Sequence, residues 1–279
     1  LILAPALAGL LTVHYGWQSA FIVPGVIGLL WVIFWLRSYE LPEHHATVSD
    51  AERAIALQDR VSTTAALTNL RERFALWGFY LRYPQTWGLM LARFIGDGAF
   101  YFFAFWLPLY LQTERGFSVL SGTIIATLPF LCADMGSLGG GWLGQRLIRG
   151  GWSVNRSRKT LIWAGSLASL LAWPVAAVDD WRLALVLAGI AIMGIQVKTA
   201  SLFPLASDIY PAPHVATVWG LSGAVGSLGA ALVQIAVGWL VDGFGYNAAF
   251  AVASLLCLGQ ALMISLFIRR VEPLRPTTE

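Results

Sequence analysis

Arg93 and Asp97 are the residues whose types and spacing most directly suggest chemistry in this chain. They stand four apart in an otherwise apolar run from Gln85 to Leu111. A helix through that run puts both on one face, where each can neutralise the other. Lys198 lies in a second such run, Gly194-Ile195-Gln196-Val197-Lys198-Thr199-Ala200-Ser201, and Asp134 in a third. A charge at membrane depth costs roughly 2.5–3.5 kcal/mol on insertion scales, so such residues pair, or line a polar passage, and mark function by default. A charge pair with a separate lysine suits holding an anion or gating a passage. Bond-making would need a nucleophile and a base, and no Ser-His-Asp or Cys-His set can be assembled here. His14, His44, His45 and His214 lie in loops or at span ends without metal-ligand spacing. The glycines from Gly136 to Gly141 follow no strand and precede no Gly-Lys-Ser/Thr, so they are no phosphate cradle. No enzyme activity, cofactor or metal is expected.

The elements that must carry these charges are membrane helices. Hydrophobic residues make up 57% of the chain and charged residues 12%, against about 25% charged in soluble domains. Thirteen tryptophans and fifteen phenylalanines suit aromatic belts at the two membrane interfaces. A net charge of +3 gives no reason to expect a nucleic-acid partner. After a partial span at 1–13, helices are predicted at about 18–37, 87–112, 118–147, 160–178, 182–208, 215–241 and 246–268. The fold class is all-α, a polytopic helix bundle in a bilayer. Residues 1–37 read as the end of one bundle, 38–86 as a loop between bundles, 87–270 as a six-helix bundle and 271–279 as a tail.

Fourteen of the eighteen Lys and Arg residues fall in alternate loops, the last group being Arg269, Arg270 and Arg275. By the positive-inside rule those loops and the C-terminus are cytoplasmic, in a multi-pass protein of the cell (inner) membrane. Arg146, Arg149, Arg158 and Lys159 are then expected to set orientation and touch lipid headgroups. Within the long loop, Ser49-Asp50-Ala51-Glu52 is a capping box opening a short helix to about Arg60. Residues 65–81 mix aromatics with Arg71 and Arg73, as an interfacial helix does. Small residues at 136, 140 and 144, and at 223, 227 and 231, predict close helix approaches.

Several segments resemble the major facilitator superfamily, and within it the anion:cation symporter family of hexuronate and related sugar-acid transporters. Gly16-Trp17-Gln18-Ser19-Ala20-Phe21 with Gly25 and Gly28 is similar to that family's entry into its sixth span. Gln85-Thr86-Trp87, Ala92-Arg93-Phe94, Asp97 and Phe105-Trp106-Leu107-Pro108 resemble its seventh, and Leu128-Pro129-Phe130 with Ala133-Asp134 its eighth. Asp208-Ile209-Tyr210-Pro211 and Ala216-Thr217-Val218 match the join of its tenth and eleventh spans. The similarity runs from Leu1 to about Pro273. It implies a major facilitator fold with an incomplete N-terminal half and a complete six-helix C-terminal half.

The resemblance also implies proton-coupled symport of small organic anions, hexuronates or other sugar acids, by alternating access, in a monomer. A drug or metabolite exporter of the same superfamily is the alternative. The family's coupling carboxylates lie in its first four spans, which this chain does not contain, so the chain alone is expected to be inactive. Substrate-binding candidates are Lys198, Gln196, Ser201, Phe203, Tyr101 and Ser222. Arg93, Asp97 and Asp134 form an intramembrane charge pair or gate. Lys198 either points into the cavity towards a carboxylate or pairs with Asp134 or Asp97. Relatives carry tryptophan where Lys198 stands and asparagine where Ser201 stands, while Gln196 and Phe203 match. A stacking ring has given way to a cation, which predicts a changed substrate. Gln145 occupies a place where the wider superfamily often has aspartate.

Overall fold

The computed structural model describes residues 3–41, 49–58 and 70–274. Arg60, the stretch 65–69, His44, His45 and Arg275 lie outside the described residues. Every element within them is helical: α1 (Leu3–Tyr15), α2 (Ser19–Ser38), α3 (Asp50–Gln58), α4 (Leu70–Tyr80), α5 (Pro84–Thr113), α6 (Val119–Arg149), α7 (Val154–Ala168), α8 (Trp181–Leu202), α9 (Leu205–Ile209) and α10 (Ala212–Phe267). Among the described residues five segments are long and apolar enough to cross a membrane: α2, α5, α6, α8 with α9, and α10.

Local sequence sets most helix starts. Pro84 opens α5, where its missing N–H is no loss. Ser118, Ser153 and Asp180 cap α6, α7 and α8 by accepting from the N–H of Ser121, Arg156 and Arg182. The capping box forms as expected: the Glu52 N–H donates to Ser49 Oγ at 3.3 Å and the Ser49 N–H to Glu52 Oε2 at 3.1 Å. The predicted helix over 160–178 begins earlier, at Val154, and continues from Ser169 to Ala176 as a 3₁₀ helix containing Pro174. Proline has no N–H to give the regular ladder. The 56-residue α10 holds two predicted helices joined at Gly245 alone, at φ 76° and ψ 178°. Its arms, 212–244 and 246–267, are both helical up to that residue.

Packing pairs α5 with both arms of α10, α6 with α8, and α7 with α8. The α6–α8 seam uses the predicted small residues: a Cβ at Gly140 would lie 2.9 Å from the Val197 Cα. The other predicted stripe is displaced. Ser227 and Ala231 are exposed, and α10 meets α5 through Gly226 and Gly229, where a Cβ on Gly229 would strike the Phe94 carbonyl. The contact line runs along 222, 226 and 229, one ridge round the helix from the one expected.

Two apolar clusters result. One gathers Phe102, Phe103, Leu107, Tyr110 and Phe250, with Phe102 edge-on to Phe250 at 4.9 Å between centroids. The other gathers Leu89, Ile162, Leu205, Ile209 and Ile264 at the end rich in basic residues. Beyond the first cluster Arg115 closes the opposite end, donating to the Tyr110 hydroxyl at 2.7 Å and to the Asp179 carbonyl at 2.9 Å.

Candidate functional site

A polar layer separates the two clusters. On α5, Ala92 belongs to one cluster and Ala99 to the other, and Arg93, Gly96 and Asp97 occupy the interval. Lys198 falls likewise between Ile195 and Leu202, Ser166 and Ser169 between Ile162 and Ala172, and Gln260 between Cys257 and Ala261. Ser222 and Gly226 complete it between Val218 and Val237. Five segments thus place their polar or small residues at one depth, near the middle of the bundle.

The centre of the layer is the predicted charge pair. Arg93 Nε donates to Asp97 Oδ2 at 2.9 Å, and the two side chains are only 13% and 19% exposed. The guanidinium carbon lies 4.6 Å from the Trp219 ring centre and 5.8 Å from that of Phe203. Phe203 meets Trp219 edge-to-face at 4.8 Å. Glycines on α10 make the room: a Cβ on Gly223 would lie 3.1 Å from Arg93 Nη1, and one on Gly226 2.6 Å from Asp97 Oδ2.

Lys198 is 1% exposed and acts electrostatically on the Asp97 carboxylate. It has no hydrogen bond or ion pair of its own among the described residues. Arg93 and Asp97 are thus paired, and Lys198 is a second cation buried in the same layer. Arg93 Nη1 is buried with no hydrogen-bond partner among the described residues, as are Ser166 Oγ, Ser201 Oγ and Gln260 Oε1. An unmatched buried donor on a guanidinium is costly, and an arriving acceptor relieves that cost.

The remaining candidates divide by exposure. The face of α8 holding Gly194, Lys198 and Ser201 is turned to α7, with the Lys198 Cβ packed against Gly165. Lys198 thus reaches into the bundle and not across an open surface. Phe203 and Tyr101 are open, at 47% and 44% exposure, and Gln196 is half-buried. Ser222 is buried and its hydroxyl donates to the Trp219 carbonyl. Asp134 is half-buried on α6 and joins neither Arg93 nor Lys198 in an ion pair.

Trp219, Gly223, Gly226 and Gln260 were not singled out for this site by sequence. Gln234 cross-ties α10 to α5, accepting from Trp106 Nε1 and donating to the Gly98 carbonyl. At the basic end, Arg158 Nε donates to Asp208 Oδ2 at 2.9 Å and Lys159 Nζ to the Arg269 carbonyl at 2.7 Å. These bonds tie α7 to α9 and to the C-terminal segment. Nearby, the Tyr80 hydroxyl and His214 Nδ1 share a hydrogen bond of 2.5 Å, and the Thr86 and Tyr210 hydroxyls one of 2.8 Å.

An all-helical membrane bundle with a charged layer at mid-depth is the architecture of a transporter. The family description Major Facilitator Superfamily matches residues 1–197 and 148–279, and the chain belongs to that family. It is 30% identical over 270 residues to the hexuronate transporter of Escherichia coli strain K12, covering 94% of this chain and 60% of that protein. It is 28% identical over 265 residues to a D-galactonate transporter of E. coli O6:H1, covering 92% and 60%. A galacturonate transporter of Dickeya chrysanthemi is 32% identical over 168 residues, 60% of this chain and 48% of that protein. The chain therefore spans about three-fifths of the length of the first two relatives.

Proposed function

We propose that this chain belongs to a proton-coupled carrier of small organic anions, hexuronates or other sugar acids, working by alternating access. The observation that carries this is the unmatched, buried Arg93 Nη1 in a layer that also buries Lys198. A substrate carboxylate accepts from that edge of the guanidinium, above the Phe203–Trp219 pair. In this reading Tyr101 and Gln196 take the hydroxyl contacts. Lys198 contributes by its charge: it draws on Asp97, so Asp97 holds Arg93 less completely and leaves the guanidinium available.

The domain organisation goes with this reading: residues 38–86 join two bundles, and 87–270 form the one holding the charged layer. The basic loops and C-terminus face the cytoplasm of the inner membrane. A cysteine placed at Gly150 is then labelled by a membrane-impermeant maleimide only after the cells are opened; labelling of intact cells would reverse the orientation.

The deciding measurement is uptake of labelled galacturonate into vesicles under an imposed proton gradient. The carrier is this chain joined behind the N-terminal two-fifths of the E. coli hexuronate transporter. We expect gradient-dependent uptake, and a fall of about tenfold or more, equivalent to roughly 1.4 kcal/mol, in Lys198→Met. Dye efflux without sugar-acid uptake would identify an exporter instead. Undiminished acid uptake in Lys198→Met would remove Lys198 from the site.

A further inference from the structure

We propose that Trp219 is a positioning residue for anion recognition: its ring holds the Arg93 guanidinium so that the Nη1 edge, and not the flat face, meets a carboxylate of the substrate. The inference rests on Arg93 being the group that receives that carboxylate. A guanidinium held by one hydrogen bond can still turn about it. Arg93 has one such bond, from Nε to Asp97 Oδ2 at 2.9 Å. The Trp219 ring, its centre 4.6 Å from the guanidinium carbon, supplies a flat surface that removes the remaining freedom. Stacking on an aromatic face leaves the in-plane N–H donors free, and Arg93 Nη1 is a buried donor with no partner among the described residues.

The ring is itself held. Phe203 meets it edge-to-face at 4.8 Å, and Phe203 lies at the C-cap of α8, so the brace comes from the end of that helix. Trp219 and Gly223 stand four apart on α10 and share one face of it. A Cβ on Gly223 would lie 3.1 Å from Arg93 Nη1 and 3.9 Å from Nη2. One helix therefore offers a ring to the face of the guanidinium and a vacancy to its uncommitted edge. One turn on, a Cβ on Gly226 would meet Asp97 Oδ2 at 2.6 Å, so the carboxylate that holds Nε lies against the same helix. A side chain that only filled space here could be leucine. A cation at this distance from a ring centre is attracted by the π face, which leucine lacks.

The test has two readouts. The first is rotation about the Arg93 Cζ–Nε bond, followed by NMR of the full chain in detergent with labelled arginine; the Arg93 signals are identified by their loss in Arg93→Lys. Rotation should be slow in the wild type, stay slow in Trp219→Phe, and quicken about tenfold or more in Trp219→Leu. The second is galacturonate uptake by the chain joined behind the N-terminal two-fifths of the E. coli hexuronate transporter. Trp219→Leu should raise KM about tenfold with Vmax unchanged, as loss of ground-state binding does, and Trp219→Phe should restore most of that loss. Gly223→Ala should raise KM while rotation stays slow, because its methyl crowds the edge without releasing the face. Fast rotation in the wild type would overturn the proposal, whether or not the variants can be produced. So would equal rotation in Trp219→Phe and Trp219→Leu, or a fall in Vmax at unchanged KM. If the unsubstituted carrier takes up no sugar acid, the transport reading is what fails, and rotation of the guanidinium still decides the role of Trp219.

Discussion

Replacing Lys198 and replacing Asp97 should have unequal effects, because Asp97 is the carboxylate paired with Arg93 in the layer that buries Lys198. Lys198→Met leaves Arg93 and Asp97 as a neutral pair. Asp97→Asn leaves two buried cations with no anion between them. Stranding a buried charge costs about 3–5 kcal/mol, so Asp97→Asn should lower thermal stability in detergent far more than Lys198→Met. Adding Lys198→Met to Asp97→Asn should restore part of the loss. Equal stability of the two single variants would show that Lys198 does not depend on Asp97. At this scale the sequence was informative where partners are close along the chain. The Arg93–Asp97 pair follows from four-residue spacing, whereas Trp219 and Gly223 reach Arg93 from a helix far along the chain, and no local pattern announces them. The face of α8 that holds Lys198 was legible on a helical wheel. Which neighbour covers it was not, because that depends on Gly165 admitting the α8 backbone.

Helices here are placed by small residues and caps more than by amphipathic faces. Because a Cβ on Gly229 would meet the Phe94 carbonyl, Gly229→Val should push α10 from α5 and cost about 1–3 kcal/mol, read as a lower unfolding temperature. Gly245 has a backbone conformation essentially confined to glycine, so Gly245→Ala should cost roughly 1–3 kcal/mol by the same measurement. The cap of α3 responds to pH instead. Hydrogen bonds from the Ser49 hydroxyl, and then from its N–H, hold the Glu52 carboxyl below the usual value. A depressed folded-state value stabilises the helix above the ordinary glutamate range and is lost as pH falls through the lowered one. Hydrogen exchange at the Glu52 and Arg53 amides should therefore gain protection, corrected for intrinsic rates, as pH rises out of that window; protection flat with pH would refute it. Capping and proline signals were readable in the sequence. The 3₁₀ ending of α7 and the displaced contact ridge of α10 were not, since both depend on neighbours distant along the chain.

For the whole molecule, hydropathy alone announced an all-helical membrane protein, because a bilayer accepts few other ways of satisfying the backbone. The polar layer became visible only when five segments could be aligned by depth. The basic end is bound together by side chains that charge counting had assigned to orientation. Loss of the Arg158–Asp208 pair in Asp208→Asn should speed amide exchange at Val271 and Leu274, which donate to Asn155 Oδ1 and the Ile209 carbonyl. An acceleration of roughly tenfold, equivalent to about 1.4 kcal/mol, is expected; an unchanged rate would mean the C-terminal segment is held independently of that pair. The single-residue junction at Gly245 bears on motion as well. With no slack between its arms, the last helical pair is a set of tongs whose fulcrum lies at the end remote from Arg158. Whatever separation those two helices undergo must widen towards the tips, where Val218 and Ile264 meet in the apolar cluster at the basic end.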